Sequence, residues 1–185
     1  MNSFKANDKG FTGLEAAIVL IAFVVVAAVF SYVVLGAGFF TTQKAQETVY
    51  KGVEQSTANI QMIGSVYGLS TDNSSITSIQ FVIGLAPGAS AIDLTKMKIV
   101  FSTPTTAPVI LTQLAGTANT TAFNTTIGGT AVTSMNPNDQ VEIKFVVAGV
   151  SANTKMTMEL RPSVGAALPF SKTAPATIAN TNVLY

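Results

Sequence analysis

Twenty-five consecutive residues, Ala16 to Phe40, carry no charge, and their only clearly polar groups are Ser31 and the phenol of Tyr32. A helix of that length reaches roughly 38 Å, more than the ~30 Å of hydrocarbon in a bilayer. Buried helices of soluble globules are usually shorter and amphipathic. The run therefore reads as a helix able to span a membrane. It also accounts for an unusual composition, 48% hydrophobic and 10% charged, against roughly 25% charged in an average domain.

The flanks define how this helix begins and ends. A short leader, residues 1–10, carries Lys5, Asp8 and Lys9, and the positive-inside preference keeps it on the cytoplasmic side. An ordinary secretory signal has an apolar segment of only about 7–15 residues, although Gly36, Ala37 and Gly38 imitate a small-residue cleavage site. Thr12-Gly13-Leu14-Glu15 fits a capping box, which predicts a helix start near Gly13. Beyond Phe40 there is no proline before Gly64. Ala45, Val49, Val53, Ile60 and Ile63 recur at helical spacing, with Glu47 and Lys51 in the favourable i,i+4 order. One helix of about 52 residues, roughly 78 Å long, is predicted to end near Gly64. One face of it requires a partner.

From about Leu69 the period changes from 3.6 to 2, with a boundary at Gly64 to Asp72. Ile79, Phe81 and Ile83 share a face, as do Met97, Ile99 and Phe101; Val141, Ile143, Phe145 and Val147; and Met156, Met158 and Leu160. Turn signals separate these strands, including Gly128-Gly129, which suits a tight hairpin. The expected fold class is α+β: a long N-terminal hydrophobic helix over 11–64, then an antiparallel, Ig-like β-sandwich head over 65–185.

Few chemistries are open to such a chain. Ten Lys and Arg balance nine Asp and Glu, which argues against a nucleic-acid partner. With neither cysteine nor histidine there is no thiolate, imidazole base or ordinary zinc site. Asp139 and Glu142 read as a turn and an outward strand position, and Asn136, Asn138 and Asp139 as a turn in preference to a calcium site. Gly128-Gly129 lacks the lysine and helix start of a phosphate loop. No catalytic, cofactor-binding or metal residue is assigned, and no cofactor is expected. Three sequons, at Asn73, Asn119 and Asn124, are N-glycan acceptors if the head is exported, the latter two reading as one surface loop.

The leader ending Asp8-Lys9-Gly10, the following Phe11-Thr12-Gly13-Leu14-Glu15, the apolar run, Val34-Leu-Gly-Ala-Gly-Phe-Phe40 and Gln43-Lys44-Ala45 together resemble archaeal flagellin, or archaellin, over about Lys9 to Val49. The head resembles the family only in architecture. The resemblance implies cleavage between Gly10 and Phe11 by an aspartic, type IV prepilin-like signal peptidase that reads Lys9 and Gly10. Asp8 stands where basic pairs are common in the family. It further implies passage through a membrane, assembly into a helical homopolymer, an extracellular filament, and a motor and platform built from other proteins. Glu15 is similar to the type IV pilin carboxylate that meets a neighbour's new terminal amine. Close helix packing in such a polymer would use Ala16, Ala17, Ala22, Ala27, Ala28, Gly36 and Gly38. The alternatives are an adhesion pilin and a membrane-anchored β-sandwich binding module.

Overall fold

The computed structural model describes residues 8–185, with side chains from Gly13 onward. The chain divides into two units, residues 1–50 and 51–185. The first is one element, helix α1, Asp8–Thr57, whose last turns belong to the second unit. Fifty residues at 1.5 Å per residue make it about 75 Å long. No proline interrupts it, and hydroxyls bond back onto the backbone along its polar end. Thr48 Oγ1 donates to the Lys44 carbonyl (2.8 Å) and Thr57 Oγ1 to that of Val53 (2.9 Å).

Both predicted ends of this helix move. Its backbone is already helical at Asp8, so Thr12 lies inside the helix and is not its N-cap. At the other end the helix stops at Thr57, and strand β1, Ile60–Leu69, takes the residues expected to complete it. The apolar spacing of Ile60 and Ile63 fits both periods. Pairing decides the outcome, because Ile60 lies opposite Leu85 and Ile63 opposite Val82, with Ile60 and Val66 buried in the head. Gly64, at φ 75°, belongs to a β-bulge between Ile63 and Tyr67.

The head continues with β2 (Ile76–Leu85), β3 (Ile92–Asp93), β4 (Lys98–Thr103), β5 (Thr106–Gln113), β6 (Ala122–Ile127), β7 (Thr130–Ala131), β8 (Ser134–Met135), β9 (Gln140–Val150), β10 (Lys155–Arg161), β11 (Leu168–Thr173) and β12 (Thr181–Leu184). Ten strands form one sheet in the order β11-β10-β4-β5-β6-β9-β2-β1-β12, with β7 beside β6, while β3 and β8 pair separately. Every ladder is antiparallel except β5 with β6. The ends of the sheet meet, since Thr173 and Tyr185 exchange backbone hydrogen bonds of 2.6 and 3.3 Å. The two walls of the head thus belong to one continuous sheet.

Period-2 alternation placed the core correctly. Phe81, Ile83, Ile99, Ile143, Phe145, Met156, Met158 and Leu160 are all fully buried. Aromatic edge contacts tie the walls together: Phe101 of β4 meets Phe145 of β9 at 5.7 Å, and Phe170 of β11 meets Phe81 of β2 at 5.6 Å. Gly128 and Gly129 turn the β6–β7 hairpin with φ of 56° and 85°, the left-handed pair such a turn demands.

Candidate functional site

The described part of α1 has nothing packed on it for most of its length. From Leu14 to Phe40 every large apolar side chain is 52–81% exposed. Burying such side chains would stabilise by about 1.5–3 kcal/mol each relative to water. The segment, exposed among the described residues, is therefore unsuited to water alone.

Within this surface the small residues fall into order. Ala16, Ala27 and Gly38 recur every eleven residues, which returns to within about 20° of the same azimuth after three turns. Ala17 and Ala28 repeat the interval beside them, while Ala22 and Gly36 lie on the far side. Helical glycine costs roughly 0.5–1 kcal/mol relative to alanine. At Gly36 and Gly38 nothing lies within 4 Å of where a Cβ would stand, so no contact within the chain requires the missing side chain.

The apolar segment gives way to a polar one through a local device. Thr41 and Thr42 both donate to the Gly38 carbonyl, at 2.9 and 2.8 Å. Lys44 then pairs with Glu47 at 2.7 Å, an exposed i,i+3 contact. Glu15 is exposed, with no side-chain partner among the described residues. The side chains of Lys9, Gly10 and Phe11, the expected processing site, lie outside the described residues.

The sequons separate. Asn73 sits at the tip of the β1–β2 turn at φ 55° and Asn119 in the loop before β6, both exposed. Asn124 is not in that loop: it is a half-buried position of β6 in register with Lys144 of β9, and its Oδ1 is buried without a partner. The Asn-Thr repetition had hidden a strand, because threonine suits both surfaces.

The acids of the head serve turns. Asp139 Oδ2 accepts from the backbone N–H and Nδ2 of Asn136, at 2.9 and 3.1 Å. Asp93 caps the short helix Leu94–Lys96. The Thr95 hydroxyl and amide hold its carboxyl below the ordinary range. In the β1–β2 turn, Asp72 accepts from the Ser74 hydroxyl and amide, the Ser75 amide and the Ser70 hydroxyl. These bonds, led by the Ser74 hydroxyl, hold the Asp72 carboxyl well below the ordinary range. A depressed folded-state pKa gives stability that is complete above the unfolded value and lost as pH falls through the folded one. The Asp72 carboxyl resonance is accordingly expected to titrate well below an ordinary aspartate, and Ser74→Ala to move that midpoint upward. An ordinary midpoint in the wild-type chain would overturn the assignment.

Comparison with known proteins places this architecture. Residues 10–172 match the archaeal-type flagellin family. Probable flagellin 1 of Archaeoglobus fulgidus is 38% identical over 98% of this chain and 97% of that protein. The 24 kDa flagellin of Methanospirillum hungatei is 91% identical over 32 residues, 17% of this chain and all of that sequence. Among solved structures, the archaeal flagellum of Methanospirillum hungatei strain JF1 aligns with TM-score 0.75 and 36% identity, covering 94% of this chain and 99% of that one. Flagellin FlaB1 of Methanocaldococcus jannaschii, at 14% identity and TM-score 0.60 over 69% of this chain and 96% of that one, shares the fold. A long exposed apolar helix joined to a closed β head, matched by sequence along nearly its whole length, makes this chain a member of the archaeal-type flagellin family.

Proposed function

We propose that the chain is the structural subunit of an archaeal motility filament and polymerises by packing α1 against the same helix of other copies. The exposed small-residue stripes carry this reading, because no described residue lies within 4 Å of where a Cβ of Gly36 or Gly38 would stand. In a bilayer the apolar side chains are already out of water, so transfer into a helical bundle gains little hydrophobic energy and close packing must decide association. Leader 1–10 holds the helix in the membrane until a prepilin-type signal peptidase cuts between Gly10 and Phe11. The head then forms the extracellular wall, with the exposed Asn73 and Asn119 as candidate glycan positions. Contacts repeating head to tail without closure produce an open helical polymer. The role is structural, without catalysis, and torque comes from separate motor and platform proteins.

N-terminal sequencing and intact mass of protein sheared from cell surfaces test the processing step. The expected mature chain starts at Phe11 and sediments as filaments. A chain beginning at Met1 and retained in membranes would replace the polymer with an anchored β domain. A start near Gly38 in a soluble fraction would mark a secreted one.

A further inference from the structure

We propose that the folded head offers Asn119, and withholds Asn124, as its N-glycan acceptor, so that transfer of the glycan follows folding of the head. This deepens the reading above and rests on export of the head.

The two sequons share the sequence Asn-Thr-Thr yet differ in exposure, backbone setting and the bonding of Oδ1. At Asn119 the side chain closes a ring with its own sequon. Its Oδ1 accepts from the Thr121 amide at 2.9 Å and the Thr121 hydroxyl at 3.0 Å, an Asx turn on an exposed loop. Neutral carboxamide nitrogen is a poor nucleophile because its lone pair is delocalised into the carbonyl. The two donors on Oδ1 fix the plane of the carboxamide and leave Nδ2 outward, and loss of an Nδ2 proton to the transferase supplies the nucleophile. No described residue occupies Asn119 Nδ2. The backbone on either side is fixed, since the Asn119 amide donates to the Ala122 carbonyl at 3.0 Å and its carbonyl accepts from Val146 at 3.3 Å.

At Asn124 the backbone is extended within β6, paired with Lys144 of β9. Residues i and i+2 of a strand lie on the same face about 6.6 Å apart, so Thr126 cannot close the ring that Thr121 closes. The Asn124 amide oxygen is buried. The side chain is half-buried and lines a groove with Ala115 to Ala118 and Lys144, where Asn119 stands exposed on its loop. Asn73 is exposed, but the Ser75 amide of its sequon is taken by Asp72 Oδ1 at 3.3 Å.

The co-reactant is an oligosaccharide carried on a lipid phosphate, brought by a transferase. Asn119 Nδ2 attacks C1 of the sugar, forming the N–C1 bond as the C1–O bond to phosphate breaks. The lipid phosphate leaves with the electron pair, and one Nδ2 proton passes to a base of the transferase.

Peptide mass spectrometry on filaments sheared from cells tests this. The stretch between Lys98 and Lys144 has no internal lysine or arginine, so trypsin leaves both sequons in one peptide, whereas chymotryptic cleavage after Phe123 separates them. The expected result is a glycan mass on the peptide containing Asn119 and none on the one beginning at Asn124. Asn119→Gln should lose one glycan from the intact mass, Thr121→Ser should keep it, and Asn124→Gln should lose none. A glycan on Asn124, or a bare Asn119 in filaments whose chains start at Phe11, overturns the inference while leaving the filament reading intact. Chains that start at Met1 in membranes overturn the filament reading instead.

Discussion

Leucine in place of Ala27 or Gly36 is expected to abolish filaments while leaving the head folded, the two effects having opposite origins. Leucine is a good helix former, and at Gly36 it would gain up to about 1 kcal/mol of helix propensity. Nothing within 4 Å of the Gly36 Cβ position obstructs it, and Ala27 lies on the exposed small-residue stripe with Ala16 and Gly38. The chain itself is thus no less stable. Between chains the added methylenes enter a surface meant for close approach, at about 1–3 kcal/mol for each overpacked contact. That cost recurs at every subunit, and each 1.4 kcal/mol is about tenfold in association. Electron microscopy of cell surfaces beside circular dichroism of the detergent-solubilised chain separates the two effects. Val24→Leu, which changes size little, serves as the control. Normal filaments from both Ala27→Leu and Gly36→Leu would remove α1 from the subunit contact.

Gly165→Ala should be the most damaging single methyl group in the head. A Cβ there would stand 1.6 Å from the Ala58 carbonyl oxygen and 2.8 Å from its carbon. Both atoms are backbone, so no side-chain rotation relieves the contact, and φ is 100° besides. Ala58 is 1% exposed, at the point where α1 hands over to β1. The loop between β10 and β11 must lift from that junction, at a cost of about 3 kcal/mol or more. For a domain of this size the melting temperature should fall by on the order of 10 °C. Gly88→Ala is the matched comparison, since Gly88 has φ 83° but open space where its Cβ would be, leaving only the left-handed strain of about 1–2 kcal/mol. Equal melting of the two variants would show that the loop need not touch Ala58.

The inward faces of β2, β4, β9 and β10 could be read directly from the sequence, because alternating burial leaves a period of 2 that turns do not blur. The end of α1 could not. Ile60 and Ile63 satisfy a helical and an extended pattern alike, and the difference lies in β2, whose partner residues begin 19 positions beyond Ile63 at Val82. Nor could the parallel contact of β5 with β6, which rests on two residue pairs, Thr112 with Ala122 and Gln113 with Phe123. The small residues of α1 were legible as a set, but their eleven-residue interval acquires meaning only once the helix is seen uncovered. Gly165 carries no local mark at all, since its requirement comes from Ala58, more than a hundred residues earlier. Asn124 was misplaced for a related reason: alternation is faint where Thr and Asn fill both faces.

The meeting of Thr173 with Tyr185 bears on a hazard peculiar to polymers. In a filament the wall domains stand at a local concentration few soluble proteins meet, and an open strand edge there would recruit its neighbours into uncontrolled cross-β pairing. The Thr173–Tyr185 pair ties the first and last strands together and so interrupts those edges. The stretch of β5 that β6 does not pair, Thr106 to Leu111, carries Pro108, which has no N–H to offer an incoming strand. Subunits of this kind are crowded along one prescribed surface, and the head is built so that crowding does not supply a second.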